Sequence, residues 1–400
     1  MQHIKLDSWQ TVMVAILVLF LGRALNRKFN FLNRYNIPEP VSSGVIVSGL
    51  ITLYFAVTGT VISFDLFFRD VLLVVFFTSV GLSSSVAELF KGGRSLIILL
   101  VLSTLLIFIQ NGVGVSLAKM LDIDQNIGLL GGSISLVGGL GTSIAWGKTL
   151  LTDYGTVNAV EIGVACATIG LVTGGFIGGP VSAYLIRKNK LEPEGDQSFH
   201  VDVSHGKEKP ISEDSFMYTV LIVGVAVAMG AFFNGLLKET AFRLPPYVTS
   251  MFSGILLSNT IPYFWKSLDW PTRHASLGFI EEISLALFLA MSLMSLQLWN
   301  LVSMAAPIML IMVAQVLVII LFTIFIVFRS LKSSYNSAVI SAGFIGFTLG
   351  ATPTAMANMS AVTNRFGPAP YAFIIVPLVG GFLIDLINAL VIELFLLWGA

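Results

Sequence analysis

Gly131-Gly-Ser-Ile-Ser-Leu-Val-Gly-Gly-Leu-Gly-Thr-Ser143 and Gly343-Phe-Ile-Gly-Phe-Thr-Leu-Gly-Ala-Thr-Pro-Thr354 decide how this chain is read, because both set glycine, proline and hydroxyl side chains inside apolar sequence. A helix in hydrocarbon satisfies its own backbone, so a broken segment survives there only where protein or a sheltered cavity covers the freed N–H and C=O groups. Polar or charged residues bracket each stretch: Asp122 and Asp124 then Lys148 and Asp153, and Arg329 and Lys332 then Arg365. This pattern predicts re-entrant hairpins at about 126–150 and 334–360, each turning near the midplane and leaving by the side it came from. Two ordinary glycine-rich spanning helices are the alternative.

The surrounding composition is that of an integral membrane protein: 56% hydrophobic and 11% charged residues, where a soluble domain carries about 25% charge. Runs long enough to span, about 20 residues each, are expected at 9–26, 39–59, 71–90, 95–118, 157–186, 215–237, 247–264, 278–298, 302–328 and 369–397. The first lacks a basic leader and a cleavage motif and reads as a retained helix. The charged, Pro- and Gly-bearing interval 187–214 divides the runs into halves, 1–186 and 215–400, of five spans each. Zero net charge gives no sign of a nucleic-acid partner. The lone Cys166 allows no disulfide framework, and His3, His200, His205 and His274 fall in termini or loops without metal-ligand spacing. No nucleophile, base and metal set is visible, so an enzyme is not expected.

The halves repeat. Ile37-Pro-Glu-Pro-Val41 matches Leu244-Pro-Pro-Tyr-Val248, Phe77 and Leu82 match Phe288 and Leu293, and Gly132, Ile134, Gly139, Thr142 and Ser143 fall opposite Gly343, Ile345, Gly350, Pro353 and Thr354 at nearly constant spacing. With both termini outside, all of the 22 Lys and Arg residues except Lys5, Arg69, Lys119, Lys148, Lys238 and Arg243 lie at or near the cytoplasmic side, together with the linker. An odd number of spans inserts the second half upside down, so the hairpins approach from opposite faces and their turns meet.

Candidate site residues follow from the polar inventory: Ser133, Ser135, Thr142, Ser143, Thr348, Thr352, Thr354 and Asn358 in the hairpins, with Glu161, Asp385 and Asn388 in the spans after them. Helix N-termini at the breaks favour carboxylates, while freed carbonyls and hydroxyls suit a desolvated sodium ion. Glu161 and Asp385 occupy corresponding spans, where an ionised side chain faces a pathway or a partner. They could bind sodium, hold an ammonium group, carry protons or pair structurally. Arg365 reads equally as a carboxylate partner and as a cytoplasmic anchor.

Gly350-Ala-Thr-Pro-Thr-Ala-Met-Ala-Asn-Met359 with Arg365-Phe-Gly-Pro368 resembles the sodium:glutamate symporter family, as do Ile37-Pro-Glu-Pro-Val41, Gly138-Gly139 with Gly141-Thr142, Ala165-Cys-Ala-Thr168, Gly178-Gly-Pro180, and Asp385 with Asn388. The chain departs from the family pattern at Leu140 and Phe344, where members often carry histidine. The resemblance implies sodium-driven uptake of L-glutamate across a bacterial inner membrane, by an elevator movement in a lipid-embedded homodimer. Sodium is then the coupling ion, and no organic cofactor is expected. The substrate set implied is Ser133, Ser135, Gly139, Gly141, Thr142, Ser143, Thr352, Pro353, Thr354, Arg365 and Asp385; the sodium set is Glu161, Gly138, Thr348, Gly350, Asn358, Asp385 and Asn388. A proton- or sodium-coupled carrier of another dicarboxylate, such as citrate or malate, stays open.

Overall fold

The computed structural model describes residues 3–29, 32, 37–84, 93–193, 211–237, 244–264, 270 and 275–399. Most of the linker lies outside them, as do His200, His205 and His274. So do Arg34, Lys91, Lys207, Lys209, Lys238, Arg243, Lys266 and Arg273, on which the orientation partly rests.

Helix follows helix: α1 (Ser8–Lys28), α2 (Glu39–Thr58), α3 (Phe67–Ser83), α4 (Gly93–Met120), α5 (Gln125–Leu129), α6 (Gly139–Tyr154), α7 (Ala159–Asn189), α8 (Glu213–Leu237), α9 (Pro246–Phe264), α10 (Ala275–Met294), α11 (Ala305–Phe322), α12 (Tyr335–Leu349), α13 (Thr352–Phe366), α14 (Pro370–Leu378) and α15 (Ile384–Gly399). A π turn, Val379–Leu383, joins α14 to α15 in one continuous span. Asp7 starts α1 with a capping box, its carboxylate accepting from Gln10 N while the Gln10 side chain accepts from Asp7 N.

Among the described residues, eight helical segments are long and apolar enough to cross a membrane: α1, α2, α4, α7, α8, α10, Leu298–Ser330 and Pro370–Gly399. These cover eight of the ten expected runs, and residues 85–90 of the run at 71–90 lie outside the described residues. Those at 71–90 and 247–264 are the helices α3 and α9, but α3 has 17 residues and α9 carries Ser258, Asn259, Thr260 and an internal Pro262. A parallel pairing of His3–Leu6 with Val61–Phe64 is the departure from the all-α expectation.

The chain divides into two compact units, and each draws on both halves of the sequence. The first, Met1–Val86 with Val203–Val302, holds α1–α3 and α8–α10. Its helices approach backbone to backbone: a Cβ on Gly81 would lie 2.3 Å from the Met251 carbonyl oxygen, and one on Gly254 2.7 Å from that of Thr78. Such small-residue seams replace hydrophobic drive, which lipid does not supply. The second unit, Ala87–Asp202 with Ser303–Ala400, holds α4–α7 and α11–α15, and with them both glycine-rich stretches.

Candidate functional site

The second stretch folds back on itself. α12 ends at Leu349, Gly350 (φ −150°, ψ −91°) and Ala351 break the ladder, and α13 restarts with Pro353 in its first turn, where the missing N–H had no helical partner to lose. The arms run antiparallel: Gly346 lies against Ala355, Gly343 against Met359, and at the open end the Tyr335 hydroxyl donates to the Gly367 carbonyl.

The first stretch does the same with more disturbance. α5 passes into a π turn, Leu130–Ile134, whose Gly132 leaves helical geometry (φ −98°, ψ −137°), and α6 begins after Gly138. Near the turn Ser143 Oγ reaches Ser135 Oγ at 3.0 Å; at the open end Asn126 Nδ2 donates to Thr156 Oγ1 at 3.0 Å. Neither stretch is an unbroken rod.

The turns touch. Gly139 adopts φ +67°, and a Cβ on it would stand 3.1 Å from the Gly350 carbonyl oxygen. α7 runs past both hairpins: Val160 packs on Gly147, Gly163 O accepts from Ser135 Oγ at 2.9 Å, Gly170 lies on Leu349 O, and Ser182 Oγ donates to Ala338 O at 2.7 Å. The open end of the first hairpin therefore lies near the start of α7. That of the second lies toward its end, about 22 residues or roughly 33 Å further on at 1.5 Å per residue. The last span passes them in reverse order, with Thr352 Oγ1 donating to Gly380 O (2.7 Å), Asn388 Nδ2 to Ser133 O (3.0 Å) and Gln125 Nε2 to Gly399 O (2.7 Å).

Most of the residues expected at the site gather at these turns. Ser133, Ser135, Gly138, Gly139, Gly141, Thr142 and Ser143 surround the first, Thr348, Gly350, Thr352, Pro353 and Thr354 the second. Asn388 is fully buried beside them, with half-buried Asp385 nearly one turn earlier on α15. Asn358 and Arg365 stand apart. Asn358 braces α13 by donating to Gly174 O (3.0 Å) and Ala342 O (3.4 Å). Arg365 is exposed in the last turn of α13, its guanidinium 5.4 Å from the Phe366 ring centroid and about 13 residues, roughly 20 Å, from the turn. Glu161 occupies the first turn of α7, between Val160, which packs on Gly147, and Gly163, whose carbonyl accepts from Ser135 Oγ.

Residues 4–368 match the family model described as Sodium/glutamate symporter. The chain belongs to that family. The sodium/glutamate symporter of Escherichia coli (strain K12) is 42% identical over 98% of this chain and 98% of its own length, and that of Shigella flexneri matches equally. The sodium/glutamate symporter of Haemophilus influenzae is 39% identical over 97% and 96%. Family membership makes the chain a transporter rather than an enzyme. The solved sodium proton antiporter MjNhaP1 of Methanocaldococcus jannaschii aligns over 96% of this chain and 97% of its own, at 14% identity and a TM-score of 0.45, a likeness too slight to carry an argument.

In this sodium/glutamate symporter family member the turns are held by amide side chains that the sequence reading passed over. Asn111 of α4 accepts from Ser133 N at 2.9 Å, its neighbour Gln110 donates to Thr348 O at 3.2 Å, and Gln315 of α11 donates to Gln110 O at 2.8 Å. The signal was present: all three interrupt long apolar runs at membrane depth, as Asp385 does. Around the turns Ser133 Oγ, Thr354 Oγ1, Asn388 Oδ1, Gln110 Oε1, Gln315 Oε1 and Asn111 Nδ2 are buried without a hydrogen-bond partner. A buried polar atom left alone is costly, and all but the last of these are oxygens, the donors a hard monovalent cation takes. Among the described residues no group of three or more His, Cys, Asp or Glu could hold a metal.

Proposed function

We propose that this chain is a secondary active transporter taking up L-glutamate across the bacterial inner membrane, with sodium as the coupling ion and no organic cofactor. Family membership supports the substrate pair. The observation that supports the site is the contact of the two hairpin turns at Gly139 and Gly350, with Ser133 Oγ in the first stretch and Thr354 Oγ1 in the second buried without a partner.

The halves 1–186 and 215–400 are taken as inverted repeats joined by a cytoplasmic linker at 187–214, with both termini on the periplasmic side. Two facts favour this. α7 and the last span pass the hairpins in opposite order, and the roughly 33 Å separating the hairpin bases along α7 is close to the hydrocarbon thickness of about 30 Å. The hairpins are then re-entrant from opposing faces. The unit carrying them, with α7 and the last span, is assigned the moving part of an elevator, and the unit carrying α2 and α9 the scaffold of a homodimer.

Sodium enters first in this scheme, on Asp385, Asn388 Oδ1, the Thr348 hydroxyl and carbonyls freed at Gly138 and Gly350. Its charge orders the turns. The glutamate carboxylates then dock on Ser133, Ser135, Thr142, Ser143, Thr352 and Thr354 and on N–H groups freed beside Gly139, Gly141 and Pro353, with the ammonium toward Asp385. Arg365 anchors the hairpin base, Asn358 braces its arm, and Glu161 suits the positive end of the α7 dipole. Coupling is reciprocal, so each ligand tightens the other by the same factor.

The test is radiolabelled glutamate uptake into liposomes containing the purified protein. An inward sodium gradient should drive accumulation that unlabelled glutamate competes away. Uptake driven equally by a pH gradient without sodium, or displaced better by citrate or malate than by glutamate, would overturn the proposal.

A further inference from the structure

Gln110 and Asn111 are consecutive residues of α4, both fully buried, and each holds a different hairpin. Successive residues of a helix point about 100° apart, so one helix can serve two turns at once. Asn111 Oδ1 accepts from Ser133 N, the N–H displaced by the non-helical Gly132. Gln110 Nε2 donates to Thr348 O, one of the last carbonyls of α12 before the Gly350 break. Chemistry fixes both amides, since a backbone N–H needs an oxygen and a carbonyl needs an N–H. This leaves Gln110 Oε1 and Asn111 Nδ2 unpartnered and buried next to the turns. Gln315 Nε2, donating to Gln110 O, steadies the pair from α11.

We infer that Gln110 and Asn111 are positioning residues that tie the two hairpin turns together, so that order imposed on one by a bound ligand is passed to the other through a shared stretch of α4. The inference deepens the sodium-and-glutamate reading and rests on it. It makes α4 part of the coupling device, and a transporter lacking the pair would bind each ligand but lose their mutual enhancement. The amides do not titrate, so the tie is the same at every physiological pH.

The experiment compares wild type, Gln110→Leu, Asn111→Leu and the conservative Asn111→Asp, which keeps an acceptor for Ser133 N. Glutamate binding to the purified full chain is measured with saturating sodium and with choline in its place, and hydrogen exchange is followed in peptides covering 130–143 and 344–356. Wild type should show sodium-enhanced glutamate binding; its absence would reject the functional reading, while the exchange measurement still tests the tie. Asn111→Leu should speed exchange in 130–143, Gln110→Leu in 344–356, and both should cut the sodium enhancement about tenfold, with Asn111→Asp largely restoring it. Unchanged exchange at both turns, or leucine variants that keep wild-type enhancement, would overturn the inference.

Discussion

Replacing Gly139 with alanine isolates the contact on which the proposed site depends. Gly139 sits at φ +67°, and its Cβ would stand 3.1 Å from the Gly350 oxygen, closer than the 3.4–4 Å of ordinary contact. Gly155, at the other end of α6, has φ +72° with nothing within 4 Å of its Cβ, so Gly155→Ala carries the same backbone cost without a neighbour. An L side chain in the left-handed region costs about 1–2 kcal/mol, and thermal unfolding in detergent should report a similar loss for both variants. Only Gly139→Ala forces the second turn to retreat by a few tenths of an ångström. Its glutamate affinity at saturating sodium should fall about tenfold, equivalent to about 1.4 kcal/mol, while Gly155→Ala stays within about twofold of wild type. Equilibrium binding of labelled glutamate to the purified protein decides it. If Gly139→Ala binds like wild type, or if Gly155→Ala loses as much, the turns do not form the site together.

Three further outcomes are expected. Arg365→Gln should leave the glutamate KM within about twofold, because the exposed guanidinium contributes only a ring contact of about 0.5–1 kcal/mol; a tenfold rise in uptake KM would return it to the substrate site. On α7, Gly178→Ala should destabilise by about 1–3 kcal/mol through overpacking, since its Cβ would meet Asn358 Nδ2 at 2.2 Å, whereas Gly179→Ala, with nothing within 4 Å, should be neutral or slightly stabilising in thermal unfolding. The Ser8 hydroxyl (2.7 Å) and the Phe67 N–H (3.0 Å) both donate to the Asp65 carboxylate and, with Lys5 nearby, hold it below its ordinary value of 3.8. A lowered folded value gives stability that is present above the ordinary value and lost as pH falls through the lowered one. Ser8→Ala should thus unfold at a lower temperature than wild type near neutrality and converge with it in acid; a gap constant down through the acid range would count against this.

What the sequence disclosed is what depends on local composition. Apolar runs located eight spans because lipid imposes length and hydropathy segment by segment. The clustered Gly, Ser, Thr and Pro located both hairpins because a break needs them where it occurs. What stayed hidden depends on positions in space. Arg365 follows the specific Gly350–Met359 string closely in sequence, but each helical residue moves it about 1.5 Å away from the turn. Gln110, Asn111 and Gln315 each leave the hydropathy of a span almost unchanged, so a scan for runs absorbs them. The pairing of His3–Leu6 with Val61–Phe64 joins four-residue segments across two intervening helices, with no local signal. The division into units follows from seams such as Gly81 on Met251, which no repeat spacing announces.

The charge inventory at the turns bears on the order of events. Backbone groups freed by the breaks find neutral partners: Asn111 for Ser133 N, Asn388 for Ser133 O, Gln110 for Thr348 O, and the Thr352 hydroxyl for the last span at Gly380. Arg365 stands in the last turn of α13, Glu161 in the first turn of α7, and Asp385 on the last span between Gly380 and Asn388, which meet the two turns. In the proposed scheme, neutral dipoles with the Asp385 carboxylate attract a cation but meet a glutamate carrying net negative charge with repulsion, undiminished where water is excluded. Sodium seated there would balance the local charge, and the same hydroxyls and N–H groups would then suit the glutamate carboxylates. The proposed order, sodium before glutamate, rests on this charge balance, and glutamate binding unchanged when choline replaces sodium would count against it.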